Sequence, residues 1–236
     1  PPWHRKAIEN YSFICDWEYA KKANVPYFVL GANWGPCYNG YFYDCFNKAF
    51  DSLTDLYFRD KASYATFADK PMVRLGGDIL MGHPMVKDFA IGVDKKKQIA
   101  ISVVDPQKKN EVDPEDYYAK LGELCRAYHA EGYAVKLLSF CEGEGDENAC
   151  EQVLRYAGEA SPELVFYRGD WQEMLRVMAE SEGIIASRFH STVLGWTLGV
   201  PVYTIAYSNK SVNLMTDCGR GIAVCGNLLT DIVKMI

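Results

Sequence analysis

Residues 184–206, IIASRFHSTVLGWTLGVPVYTIA, decide the fold. An apolar, β-rich run ends at 187, a helical pattern runs from about Ser191 to Leu198, and a second apolar run covers 200–206 after Gly199. Two short apolar strands joined by a helix can only lie parallel, because a parallel pair needs a crossover. The same grammar recurs upstream. QIAISVV (98–104), AVKLLSF (134–140) and ELVFYR (163–168) read as buried strands. The helix between the first two has Asp113 as N-cap, Pro114 at its first position, and a stripe of Tyr117, Leu121, Leu124, Cys125 and Tyr128. Asp170 and Glu173 open the helix before 184 in the manner of a capping box.

The first part of the chain repeats this alternation more loosely. A helical stretch over Ala7–Ala23 precedes VPYFVLGA (25–32), read as a buried parallel strand, and a helix over about Gly40–Leu53. DLYFRD (55–60) and MVRL (72–75) are further strands around the short helix of ASYATFADK. GGDILMGHP (76–84) is turn-rich and marks a change of unit. The expected organisation is α/β, with residues 1–93 as part of one Rossmann-like domain and 94–236 as a second.

Composition narrows the function. A chain of 236 residues that is 49% hydrophobic can bury a sizeable core. Its net charge of −6 argues against a phosphate-tracking surface, so no nucleic-acid partner is expected and any anion site is local. No apolar run approaches the roughly 20 residues needed to span a bilayer, and the start has no secretory pattern. The eight cysteines include no C-x-x-C, which favours scattered buried thiols over a disulfide framework, and no metal site is expected.

In an open parallel sheet, ligands sit beyond the strand C-termini. Arg59, Asp60, Arg188, His190 and the loop YSNKS (207–211) all fall at such ends. Arg188 and His190 alternate along an extended strand end, so both side chains can project to one side while Phe189 points the other way into the core. Arginine offers a rigid fork for carboxylate or phosphate, and histidine moves a proton near neutral pH. A helix beginning near Ser191 adds unpaired backbone N–H groups, which places Ser191 among the candidate binding residues. The bland alternative is an arginine salt-bridged to a neighbouring acid and a histidine satisfied in the core. Arg59 with Asp60 admits a similar reading, as an ion pair capping strand and helix. Trp34, Tyr38 and Tyr41, in the aromatic stretch 33–46, suit stacking on sugar faces or packing of a helix. The acidic stretch EGEGDE (142–147) reads as a solvated loop.

The stretch GIIASRFHSTVLGWTLGVPVYTIAYSNKSVNLM (183–215) resembles the signature of the polysaccharide pyruvyltransferase family: an apolar strand, R-[LF]-H, a helix, G-V-P, a strand, then Y-x-x-K. YFRDKAS (57–63) is similar to that family's R-D-x-x-S element. The resemblance implies two Rossmann-like domains in a GT-B-like arrangement, the N-terminal one incomplete in this chain, with the active site in the cleft between them. It also implies transfer of the pyruvyl group of phosphoenolpyruvate to two hydroxyls of one sugar, giving a cyclic ketal and phosphate.

Carried over by position, Arg188 and His190 bind or protonate the donor, Arg59 reaches it from the other domain, and Lys210 matches Y-x-x-K. His4 is a candidate for the family's N-terminal histidine. The chemistry suits these residues: two fixed cations for a carboxylate and a phosphate, and a proton carrier, with His190 first and Asp60 second. The expected partners are phosphoenolpyruvate, as donor without a further cofactor, and a galactose-type acceptor, free or lipid-linked. The expected location is cytoplasmic, with peripheral association at the inner membrane face. The other readings are a GT-B glycosyltransferase or epimerase using a nucleotide sugar, and a catalytically dead sugar-binding protein.

Overall fold

A computed structural model describes residues 11–35, 37–106, 113–206, 208–219 and 223–224. The chain divides into two compact units, Pro1–Ile79 and Leu80–Ile236. The division falls inside the turn-rich 76–84 and not after residue 93. Residues beyond it pack with the second unit because Val86, Phe89, Ala90 and Val93 supply apolar side chains to that unit's core.

In the first unit, β1 (Phe28–Ala32), β2 (Asp55–Phe58) and β3 (Val73–Leu75) form a parallel sheet in that order. Helices α1 (Ser12–Ala23), α2 (Gly40–Phe50) and α3 (Lys61–Thr66) alternate with them. Asn39 caps α2 by accepting from the backbone N–H groups of Tyr41 and Phe42. The core is aromatic, with Phe46, Phe50, Phe58 and Phe67 packed against Leu56 and Val73. β1 departs from the fully buried strand expected of it: Phe28 and Leu30 are 54% and 62% exposed. They alternate with Val29, which turns to the core, so one face of this edge strand is covered and the other is open.

In the second unit, β4 (Lys96–Ser102), β5 (Ala134–Ser139), β6 (Glu163–Phe166), β7 (Ser181–Ala186), β8 (Val202–Ala206) and β9 (Ala223–Val224) form one sheet in the order β6-β5-β4-β7-β8-β9. All of its pairings are parallel. The helices are α4 (Pro84–Phe89), α5 (Pro114–Ala130), α6 (Asp146–Ala157), α7 (Trp171–Glu180), α8 (Phe189–Thr197) and α9 (Asn209–Asp217). α4 is an element that the turn-rich sequence hides.

Period-two alternation splits the strands between two cores. Ile99, Ile101, Leu137 and Ile185 face α5 and α6 through Tyr117, Leu121, Leu124, Ala149 and Val153. Ala100, Leu138, Ile184 and Ala186 face α4 and α7 through Val86, Met174, Leu175 and Met178. Each fully buried leucine in these layers contributes about 1.5–3 kcal/mol. The caps read from sequence form as expected: Asp113 accepts from Glu115 N–H, and Asp170 from Gln172 and Glu173 N–H.

Candidate active site

The chain leaves β4 towards β5 and β6, then returns to lay β7 on the other side of β4. That reversal makes the C-terminal ends of β4 and β7 the switch point of the sheet, where ligands of doubly wound folds bind. Ser102, the last residue of β4, pairs in register with Ala186, the last of β7. Its buried Oγ accepts from the N–H groups of Ser187 (3.0 Å) and Arg188 (3.2 Å) and lies 2.6 Å from Ser191 Oγ. Ser191 donates its one hydroxyl proton to the Arg188 carbonyl at 2.6 Å, so Ser102 is the donor to Ser191. Tyr117 adds a brace by donating to Ser187 Oγ at 2.9 Å and accepting from Val104 N–H at 3.3 Å.

This seat bends the chain two residues earlier than the sequence suggests. β7 ends at Ala186, Arg188 is the extended N-cap of α8, and Phe189 and His190 are its first two residues. The strand-like alternation expected of Arg188 and His190 therefore does not occur, because successive helical side chains diverge by about 100°. His190 is exposed on the first turn, and Phe189 is half-buried beside it, ring edge to ring face at 5.3 Å. Ser191 is fully buried with its hydroxyl engaged in the seat. Lys210 is exposed at the second position of α9, after the adjacent strand β8. His4 lies outside the described residues.

Arg188 is 12% exposed, and its guanidinium meets two carboxylates. Nε donates to Asp146 Oδ2 at 2.8 Å, Nη2 to Asp146 Oδ1, and Nη1 to Glu144 Oε2 at 2.5 Å. Asp146 is fully buried and also accepts from the N–H groups of Phe140 and Cys141. The acidic stretch 142–147 is thus no solvated loop but half of an ion-pair network. On its other side, Glu142 and Glu147 pair with Arg168 at 2.9 and 2.8 Å. Gly145 makes the turn between the two carboxylates at φ 90, with Asp105 Oδ2 only 2.5 Å from where a β-carbon would stand. The functional neighbours that sequence alone misses are therefore Ser102, Tyr117, Glu144 and Asp146. The spacing of acids with glycines in EGEGDE is the signal that could have found the last two.

In the first unit, Arg59 follows β2 and donates from Nη1 to Asp78 Oδ2 at 2.8 Å and from Nη2 to Asn33 Oδ1 at 2.9 Å. Asp60 caps α3: its oxygens accept from the N–H and hydroxyl of Ser63, both at 2.8 Å. The structure gives Asp60 the place of helix cap, with both carboxylate oxygens engaged by Ser63. Trp34 packs into the aromatic core against Phe42, Phe46 and Phe67. Tyr38, 94% exposed, is the ring of that stretch left on the surface. Among the described residues no group of three or more His, Cys, Asp or Glu could hold a metal ion, and no helix is long and apolar enough to cross a membrane.

Solved structures with similar folds include UDP-GlcNAc 2-epimerase from Neisseria meningitidis bound to UDP-GlcNAc (12% identity, TM-score 0.60, covering 93% of this chain and 62% of that one). Anabaena Alr3699/HepE in complex with UDP and glucose matches at 14% identity and TM-score 0.57, over 93% of this chain and 64% of that one. S. aureus MnaA with UDP matches at 12% identity and TM-score 0.61, over 92% and 62%. At these identities the likeness is one of fold: α/β and Rossmann-like, as the sequence pattern implies, and like the GT-B class, as the family resemblance implies. The chain spans less than two thirds of the length of these structures. No curated protein matches the sequence. The profile of the polysaccharide pyruvyl transferase family matches residues 5–209, and the chain belongs to that family.

Proposed function

We propose that the protein transfers the pyruvyl group of phosphoenolpyruvate to two hydroxyls of one galactose-type sugar, in a surface polysaccharide or its lipid-linked precursor. The observation that carries this reading is the R-F-H run at the head of α8, seated by Ser102 at the switch point of the sheet. Donor chemistry matches that place. The first-turn N–H groups of α8 offer hydrogen bonds and positive potential to an anion, and the Arg188 guanidinium adds further N–H donors. His190, exposed on the same turn, is the proton carrier.

The reaction balances without an external reagent. The donor's methylene carbon gains a proton and becomes methyl, and positive charge develops at the adjacent carbon. Two sugar hydroxyls attack that carbon as the bond to phosphate oxygen breaks. Of the two hydroxyl protons released, one replaces that taken up by the methyl and the other leaves with phosphate. The chemistry asks for no metal or further cofactor. Exposed Lys210 and Tyr38 are proposed as outer contacts, to phosphate and sugar respectively. On this reading the protein works on the cytoplasmic side, at the inner membrane face when the acceptor is lipid-linked.

A nucleotide-sugar epimerase or glycosyltransferase is the second reading, supported by the UDP-bound structures of similar fold. A thermal-shift comparison separates the two. Phosphoenolpyruvate should raise the melting temperature, and ketal product and phosphate should form with a galactoside acceptor. Stabilisation by UDP-sugars and not by phosphoenolpyruvate would reverse the ranking.

A further inference from the structure

The two carboxylates on Arg188 differ in kind, and we propose that Asp146 fixes the guanidinium for the donor while Glu144 occupies the edge that the donor's anionic group takes. Glu144 must then swing away before the donor binds. This inference rests on the pyruvyl-transfer reading above. Asp146 is fully buried, receives two N–H bonds from Arg188 and two from the backbone, and cannot move without stranding all four. Glu144 is 53% exposed and meets Arg188 through Nη1, away from the edge that Asp146 holds.

With both acids in place the guanidinium's charge is more than offset, so the group as it stands does not draw an anion. Losing Glu144 restores neutrality and opens the Nη1 position to a carboxylate or phosphate oxygen of the donor. The displacement is local. Glu142 and Glu147 tether the two ends of the turn to Arg168, and Gly145 packs against Asp105. Glu144 can therefore leave by rotating its side chain while the turn stays put. A ligand carrying two negative charges competes with this internal carboxylate better than one carrying a single charge, which makes Glu144 a selector for dianionic donors.

Calorimetric titration of the full chain with phosphoenolpyruvate tests this, using Glu144→Gln, Glu144→Ala and Asp146→Asn, with circular dichroism to establish that each variant folds. Glu144→Gln and Glu144→Ala should each bind phosphoenolpyruvate about threefold tighter than the natural chain, the scale of a half-exposed ion pair. Asp146→Asn should bind it more weakly. Opposite signs distinguish the two roles from simple loss of structure, which would weaken binding in every variant. Equal or weaker binding by both Glu144 variants overturns this inference alone. No binding of phosphoenolpyruvate by the natural chain or any variant overturns the functional reading with it.

Discussion

Ser102 Oγ and Ser191 Oγ lie 2.6 Å apart, both buried, tying the end of β4 to the first turn of α8. Arg188 and His190 take their positions from this contact, because the same Ser102 oxygen holds the backbone of Ser187 and Arg188. Ser102→Ala would deprive the part-buried Arg188 N–H of that acceptor. The expected loss is about 1–3 kcal/mol of stability, read from thermal or denaturant unfolding. A melt unchanged from the natural chain would show that the seat does not depend on this hydroxyl.

Arg188→Ala tests more than donor binding. It leaves the fully buried Asp146 carboxylate with backbone donors alone, so it should destabilise the chain by about 3–5 kcal/mol. Asp146→Asn combined with Arg188→Ala should recover part of that loss while donor binding stays absent. Unfolding midpoints of the single and double variants decide the matter, and full additivity would show that the two groups are not coupled.

At Gly122, α5 and α6 come into close contact: a β-carbon there would lie 2.5 Å from Tyr156 Cβ and 2.7 Å from its carbonyl carbon. Backbone cannot give way as a side-chain tip can. Gly122→Ala should therefore cost about 1–3 kcal/mol or more through overpacking, despite alanine's higher helix propensity. A stabilised variant would mean that the helices separate freely.

Alkaline pH should loosen the second unit. Burial pushes the Cys125 thiol from its ordinary 9.0 up to about 12, and the Tyr118 hydroxyl from 10.0 up to about 12, with Asp105 adding to the latter. Both groups keep their protons in the fold and lose them sooner in the unfolded chain. Their contribution is therefore complete below pH 9 and is lost as pH rises from there towards 12. Denaturant midpoints measured across that range should fall, and Cys125→Ala should flatten part of the slope.

Asp60→Ala removes the cap of α3. A loss of about 0.5–2 kcal/mol is expected, seen as earlier melting. An Asp60 variant that melts as the natural chain does, yet loses catalysis, would return this residue to the reaction.

The parallel alternation and two of the helix caps were legible in the sequence because they depend on local signals: Asp113 before Pro114 and Asp170 before Trp171. The open face of β1 was not, since Phe28 and Leu30 read as core residues wherever they stand. The same limit governs the site. Arg188 and His190 stand out as residue types at a strand end, but the early start of α8 depends on a hydroxyl from another strand. The partners of Arg59 and Arg188 are equally non-local. Asp78 and Asp146 stand 19 and 42 residues away from them. An acid that neutralises an arginine across such a span leaves no periodicity to read.

The seat beneath Arg188 has a kinetic consequence. Ser102 and Ser187 are 85 residues apart in the chain, and β5 and β6, which lie on the other side of β4, come between them in sequence. Bringing together such distant segments is slow in a parallel architecture. The cradle for the arginine exists only once β4 and β7 are paired, so any species with β4 to β6 assembled and β7 undocked should be blind to a ligand of the finished site.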